Sequence, residues 1–186
     1  MMLKNKHSPI RFAIVFVVLF VCFYYFNIMY LGITTPGNYY TAFLADHLNY
    51  VQWLRTLLLQ CSKQILVWMG FTTIINNIDL LVVGHNIIEL AYSCLGFGVM
   101  SFLAAFVIAY PKPLKHKIIF FIAGVLTFQV LNVIRFILLA LYWQSKETKI
   151  IDHHTIFNII IYVIILISLY FWTKHDFAVT KKHETN

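Results

Sequence analysis

The sequence predicts an all-α polytopic membrane protein with about four transmembrane helices, an amphipathic helix at the outer face and a small β-hairpin. Of the 186 residues, 61% are hydrophobic and 11% are charged, whereas a soluble domain carries about 25% charged residues. The net charge of +7 does not indicate a nucleic-acid partner, because the basic residues flank apolar runs, as membrane topology requires. A soluble domain and a nucleic-acid-binding protein are therefore excluded.

Four apolar segments are long enough to cross a hydrocarbon core of about 30 Å at about 1.5 Å per helical residue. They are residues 10–31, 94–110, 118–143 and 155–172. The first follows a basic start and is typical of a signal anchor. It is long for the apolar region of a signal peptide and lacks a small-x-small cleavage site, so we expect it to be retained. We interpret residues 1–186 as a single integral membrane domain.

The basic residues predict the orientation of these spans. Nine of the 14 lysines and arginines lie before the first span, between the second and third spans, or after the fourth. The positive-inside rule makes that side cytoplasmic. We therefore expect both termini in the cytoplasm and residues 32–93 outside the cytoplasmic (inner) membrane. Five of the seven acidic residues fall on the outer side: Asp46, Asp79, Glu89, Glu147 and Asp152.

Residues 46–92 form the predicted outer-face segment. The stretch 46–70 is long enough to cross, but polar residues such as Gln52, Arg55 and Lys63 interrupt it. This pattern favours an amphipathic helix on or dipping into the outer leaflet, with a re-entrant pair as the alternative. The stretch 72–92 has β-branched runs separated by plausible turns at 76–77 and 84–86, which predict short strands. Open strands cannot face lipid, because their backbone groups would be unpaired.

The three cysteines are Cys22, Cys61 and Cys94. Their wide spacing indicates neither a zinc site nor a disulfide framework, and we expect no metal and no cofactor. Cys22 and Cys61 are interpreted as ordinary apolar residues.

Cys94, Arg135 and the histidine pair His153–His154 are the candidate catalytic residues, because they converge on one depth. Cys94 begins the second span at its outer end. Arg135 lies 18 residues after Lys117, or about 27 Å along a helix, and so approaches the outer surface. His153 and His154 open the fourth span on the outer side.

Each of these residues also has an ordinary structural explanation. A cysteine at a helix start is usually a small buried apolar residue. An arginine within a span costs a few kcal/mol, but Arg135 could snorkel to the outer headgroups. A histidine at a helix start is often interfacial, and Asp152 before the pair fits an N-cap.

Together the three residue types suit acyl transfer on a peptide bond. A thiolate is the nucleophilic form of cysteine, and a helix N-terminus or a nearby cation favours it. An imidazole can take the thiol proton and later protonate a leaving amine. A guanidinium stays charged and can hold the oxyanion of a tetrahedral intermediate or the substrate carbonyl.

The motif AYSCLG before a membrane helix, NVIR (Asn132 to Arg135) late in a later helix and a histidine that opens another helix resemble the exosortase/archaeosortase family. The short chain and the stretch DHHTIFN most resemble its exosortase F branch from Bacteroidetes-type bacteria. The resemblance covers most of residues 45–172. The first span matches only in type.

The resemblance implies a membrane cysteine transpeptidase, a peptidase-like enzyme of protein sorting and cell-surface anchoring. Its expected partners are secreted proteins that carry a C-terminal motif, a transmembrane helix and a basic tail. The new carboxyl end passes through a thioester to a membrane lipid or surface acceptor. Cys94 is then the nucleophile, Arg135 the oxyanion or substrate clamp, and a histidine the acid/base. His154 is preferred to His153, because the family histidine precedes a small or amide residue by four positions, as His154 precedes Asn158.

The sequence departs from the familiar pattern in two respects. Leu95-Gly96 follow the cysteine where the familiar bacterial version has Ser-Gly, and the chain is shorter than eight-span members. Two other classes of function stay open. One is a non-catalytic scaffold in which Arg135 pairs with Glu89 or Asp152. The other is a small transporter or lipid-binding protein in which Arg135 holds an anionic headgroup.

Overall fold

The computed structural model describes residues 9–37, 39–142 and 153–183. The chain divides into two compact units, Met1–Trp143 and Gln144–Asn186. In order, the first contains α1 (Pro9–Thr34), α2 (Ala42–His47), α3 (Tyr50–Trp68), β1 (Thr73–Ile75), β2 (Asp79–Val82), β3 (Ile87–Glu89), a 3-10 turn (Tyr92–Leu95), α4 (Phe97–Ala109) and α5 (Leu114–Tyr142). The second contains α6 (His153–His183), where Ser168 and Thr173 donate their hydroxyls to backbone carbonyls of their own helix.

Each of the four predicted spans contains a helix, but the four do not have equal length. Within the described residues, α1 and α5 are long and apolar enough to cross a membrane. The helix α4, in the second predicted span, has 13 residues. This is about 20 Å of helix, which is less than a core of about 30 Å. The apolar part of α6, Ile159–Lys174, is also shorter. The second span is predicted to start at about Cys94, and α4 begins three residues later at Phe97, because the left-handed Gly96 separates the cysteine from the helix.

Aromatic side chains hold α1 against α4. Phe12 and Phe16 meet Phe106 edge to face at centroid distances of 5.5 and 6.0 Å, and Phe16 meets Phe102 at 5.3 Å. Because the contacts run in opposite sequence directions, the helices are antiparallel. At the other end of the pair, Asn27 Nδ2 donates to Ser101 Oγ at 3.2 Å.

The outward face of α5 is a continuous apolar stripe. Six aliphatic residues spaced by three or four positions are each 45–61% exposed, and their spacing places them on one side of the helix. They are Ile119, Ile122, Leu126, Val130, Ile134 and Leu138. The 18-residue apolar window of α1 is likewise unburied. Apolar surface on this scale requires a nonaqueous surrounding, and lipid supplies it.

The outer-face segment forms the predicted amphipathic helix followed by strands. In α3 one face buries Val51, Leu58 and Leu66, whereas Trp53 and Trp68 are exposed. The predicted hairpin is wrong in its number of strands, because β1, β2 and β3 form a three-stranded antiparallel sheet in that order. Both predicted turns are confirmed, since residues 76–78 and 83–86 connect the strands.

The sheet rests on the C-terminal end of α5. Leu80 and Val82 of β2 are fully buried in one apolar core with α3 and α5. The Asn86 N–H donates to the Ala140 carbonyl at 3.3 Å, and His85 Nδ1 lies 3.2 Å from the Leu141 carbonyl oxygen. The last carbonyls of a helix lack partners within it. The turn between β2 and β3 therefore caps α5 and fixes the sheet at that end of the bundle.

Gly96 links the 3-10 turn to α4 and is constrained in two ways. Its φ of 77° is left-handed, a conformation that costs other residues about 1–2 kcal/mol. A Cβ there would lie 2.0 and 2.2 Å from Cε1 and Cζ of Phe128 on α5. Only a glycine therefore lets α5 approach the turn this closely.

We expect Gly96→Ala to destabilise the fold by about 2–5 kcal/mol, the sum of left-handed strain and overpacking. Gly84→Ala is the matched control, because Gly84 has φ 82° but no atom within 4 Å of an added Cβ. It should cost only the strain, about 1–2 kcal/mol. Unfolding in detergent, followed by circular dichroism, measures both. Equal losses in the two variants would contradict the close approach of Phe128.

Candidate active site

Cys94 lies in the 3-10 turn that precedes α4. Its side chain is 4% exposed, and its N–H donates to the Ala91 carbonyl at 2.9 Å. The turn packs in the core with Leu95 and with Phe136 of α5. The thiol is therefore enclosed at the end of the bundle that carries the sheet.

Asn132 of α5 holds the backbone of this turn. The residue has no exposed surface, and its Nδ2 donates to the Cys94 carbonyl at 3.0 Å and to Gln129 Oε1 at 3.3 Å. In the described part of the chain, Asn132 Oδ1 has no hydrogen-bond partner. Gln129 Nε2 lies 3.5 Å from the carbonyl oxygen of Leu95. The side-chain amides of Asn132 and Gln129 thus contact the successive carbonyls of Cys94 and Leu95, at the candidate nucleophile.

Arg135 follows Asn132 by three residues, close to one helical turn, and is 5% exposed. Its guanidinium carbon lies 5.3 Å from the ring centroid of Phe136. A snorkelling arginine buries its stem and keeps its charged head in water. Arg135 instead buries the whole side chain, which argues against the snorkelling explanation.

The third candidate, His154, lies in the first turn of α6, in the second unit. The side chains of His153, His154 and Asn158, as well as Asp152 itself, fall outside the described residues. The structure therefore brings together Cys94 and the α5 segment that ends at Arg135. The role of His154 stays a prediction.

Tyr92, the first residue of the turn, and Tyr50 of α3 both pack against Phe97 at the start of α4. Tyr92 stacks on Phe97 at 5.3 Å, and Tyr50 meets the same ring edge to face at 5.6 Å. Burial, assisted by Tyr92 and Tyr30, raises the pKa of Tyr50 to about 12. Burial and Tyr24 raise the pKa of Tyr92. Both phenols are therefore protonated at neutral pH and are unsuited to act as bases there.

The other cysteines lie apart from this turn. Cys22 and Cys61 are exposed free thiols. Within the described ranges, no group of three or more His, Cys, Asp or Glu side chains could hold a metal ion.

Comparison with known families decides the class to which this arrangement belongs. The family model described as transmembrane exosortase matches residues 8–171. The chain is a member of the exosortase family. Exosortases are membrane cysteine transpeptidases as a family. No curated protein and no solved structure matches the chain.

The sequence of this exosortase predicts Cys94, Arg135 and His154 as catalytic residues but indicates no role for Asn132 or Gln129. A signal was available, because a carboxamide inside an apolar helix needs a partner once buried. Gln129, Asn132 and Arg135 are spaced by three residues each, which predicts that they share one face of the helix. The identity of the partner, the Cys94 carbonyl, could not be read from sequence.

We expect Asn132→Ala to loosen the Cys94 turn, because a buried carbonyl left without its donor costs about 1–3 kcal/mol. The readout is the rate of Cys94 alkylation by iodoacetamide in a background with Cys22→Ser and Cys61→Ser. The rate should rise several-fold, since the thiol is nearly enclosed. Asn27→Ala is the control, because the hydrogen bonds of Asn27 go to Phe23, Ser101 and the Tyr50 hydroxyl and not to the backbone of the turn. An unchanged rate in Asn132→Ala would show that Asn132 does not hold the turn.

Proposed function

We propose that this exosortase cleaves C-terminal sorting signals from secreted proteins and transfers the new carboxyl end to a membrane lipid or surface acceptor. The observation that supports this most is the 3.0 Å hydrogen bond from Asn132 to the Cys94 carbonyl. It ties the NVIR segment of α5 to the cysteine turn, so that a nucleophile and a guanidinium belong to one packed end of the bundle. A scaffold needs no such link between these two residues.

The proposed reaction has two halves, each with Cys94 at its centre. The Cys94 thiolate attacks the scissile carbonyl carbon, and the carbon–nitrogen bond breaks to give a thioester. The departing amine, which carries the substrate's transmembrane helix and basic tail, takes its proton from His154. The acceptor then attacks the thioester carbonyl, gives its proton to His154 and releases the Cys94 thiolate. His153 is the alternative acid/base.

Arg135 is proposed to stabilise the negative oxygen that develops in both halves. Its burial at 5% exposure supports this role, because a fixed charge acts more strongly where water is excluded. The cost of burying an arginine is several kcal/mol. Such a group inside a membrane helix is by default a functional one.

The proposed cellular setting follows from the charge pattern. The protein crosses the cytoplasmic membrane several times, with both termini inside and the cysteine turn at the outer face. The packing of the sheet on the far end of α5 supports this arrangement, because that end is remote from Lys112, Lys115 and Lys117. The short chain and the DHHTIFN stretch, which most resemble the exosortase F branch of Bacteroidetes-type bacteria, support assignment to that branch. Its partners are secreted proteins with a C-terminal motif, helix and basic tail.

Arg135→Lys tests the catalytic role of the guanidinium. Lysine keeps the charge but loses the fixed fork of donors, and loss of one oxyanion donor costs about 10²–10³ in rate. The assay follows the size shift of a co-expressed secreted protein that carries a C-terminal motif, a transmembrane helix and a basic tail. Cys94→Ser should abolish the shift.

Three controls accompany these variants. Arg11→Lys is an exposed exchange of the same type on α1, and Cys22→Ser and Cys61→Ser replace exposed thiols; all should process normally. Normal processing in Cys94→Ser would overturn the enzyme proposal. Normal processing in Arg135→Lys alone would remove only the oxyanion role.

The proposed topology predicts which residues a membrane-impermeant thiol reagent can reach. In a background that lacks Cys22, Cys61 and Cys94, a cysteine at Asn77 should react in intact cells. A cysteine at Lys115 should react only after the cells are opened, because the positive-inside rule places that loop in the cytoplasm. The reverse pattern would invert the protein in the membrane and place the cysteine turn inside.

A further inference from the structure

A pocket of about 350 Å³ lies between the end of α1, the start of α3 and Tyr92, two residues before Cys94. This volume is within the range typical of small-molecule sites. Among its described lining residues, Arg55 is the single charged side chain and none is acidic. Thr34, Asn49 and Gln52 supply further polar groups. A cavity lined in this way favours an anion.

Arg55 is partly committed within the pocket wall. Its Nη1 donates to Gln52 Oε1 at 2.9 Å, and Gln52 Nε2 in turn donates to the Asn77 carbonyl at 3.0 Å. The Arg55 Nε is buried and has no hydrogen-bond partner in the part of the chain that the structure describes. A buried donor left unsatisfied is costly, more so on a charged group. The arrangement orients the guanidinium through Gln52 and leaves its Nε without a protein partner in the described part of the chain.

The electrostatics of Arg55 also favour an added negative group. Burial lowers the pKa of Arg55, because desolvation disfavours the charged form, and the negative charge of Glu89 partly opposes this. A bound anion would stabilise the charged form of Arg55, which desolvation destabilises. Arginine also binds phosphate oxygens with two parallel donors, a geometry that a point charge lacks.

The position of the pocket indicates which anion is at hand. It adjoins the end of α1, an apolar helix with no buried residue in its spanning window. Exposed aromatics flank it in sequence: Tyr39 is 82%, Phe43 64% and Trp53 58% exposed. Tyrosine and tryptophan side chains concentrate at the level of lipid headgroups. The anion present at that depth in high concentration is the phosphate of a phospholipid.

We propose that this pocket binds the phosphate of a membrane phospholipid headgroup, with Arg55 as the charged ligand and Gln52 as the residue that orients it. The pocket adjoins the cysteine turn through Tyr92, but the proposed binding does not rest on the proposed transpeptidase activity. Phosphate is the shared chemistry of a lipid headgroup and of free inorganic phosphate, and the experiment separates the two sources.

The test is native mass spectrometry of the full chain in a neutral sugar detergent, titrated with phosphatidylglycerol. We expect a saturable one-lipid adduct in the wild type and about tenfold weaker binding in Arg55→Gln. Arg55→Lys, which keeps the charge and should fold, should bind several-fold more weakly than the wild type. Arg11→Gln removes a cation from the other end of α1 and should bind normally. Glu89→Gln should bind at least as tightly as the wild type, because it removes the opposing charge.

Competition identifies the ligand. A neutral diacylglycerol should not give the saturable adduct, and millimolar inorganic phosphate should displace the lipid only weakly. Equal binding by the wild type, Arg55→Gln and Arg55→Lys would overturn the site. If inorganic phosphate displaced the bound lipid as effectively as added phosphatidylglycerol does, the pocket would be a site for free phosphate and the lipid proposal would be overturned. Stronger displacement by an acidic peptide would assign the pocket to a protein ligand and overturn the lipid proposal.

Discussion

The hydrogen bond from Asn132 to the Cys94 carbonyl is the link on which the arrangement of the first unit depends. It joins a helix long enough to span a membrane to a short turn that would otherwise present bare carbonyls to an apolar core. Gly96 makes this link possible, because any larger residue would meet the ring of Phe128. The Asn132 hydrogen bond and the absence of a side chain at Gly96 therefore both hold α5 close to the cysteine turn. Once this hydrogen bond is made, the location of Arg135, one helical turn further along α5, is also fixed relative to the turn.

The buried polar groups of this protein collect at one end of its bundle. Along most of α1 and α5 the surface is aliphatic or aromatic, and hydrogen bonds such as that of Asn27 to Ser101 are made across helices. At the end that carries the sheet lie Asn132, Arg135 and the pocket around Arg55, and the Asn27–Ser101 bond lies toward the same end, since Asn27 also accepts from Tyr50 of α3. Each such group is costly in an apolar surrounding unless it has partners. Their concentration near one turn is what distinguishes a site from scattered core polarity.

The short helix α4 sets the depth of the cysteine turn. At about 20 Å, α4 is shorter than a hydrocarbon core of about 30 Å, and it packs on the longer helices α1 and α5. The turn, α3 and the sheet therefore cover this end and enclose Cys94, where water is scarce. Such enclosure strengthens electrostatic interactions with a developing charge.

The sequence by itself determined the membrane class, the four helical apolar segments, the amphipathic α3 and the turns at residues 76–77 and 84–86. These follow from hydropathy, periodicity and turn chemistry, which act locally along the chain. It also placed Cys94 and Arg135 near one depth through helix length alone. Only the tertiary structure decided that Asn132 holds the Cys94 carbonyl, that Arg135 is buried, that a third strand completes the sheet, and that α4 begins after Gly96. Each of these depends on a partner distant in sequence, such as Phe128 for Gly96, and no local pattern specifies a distant partner.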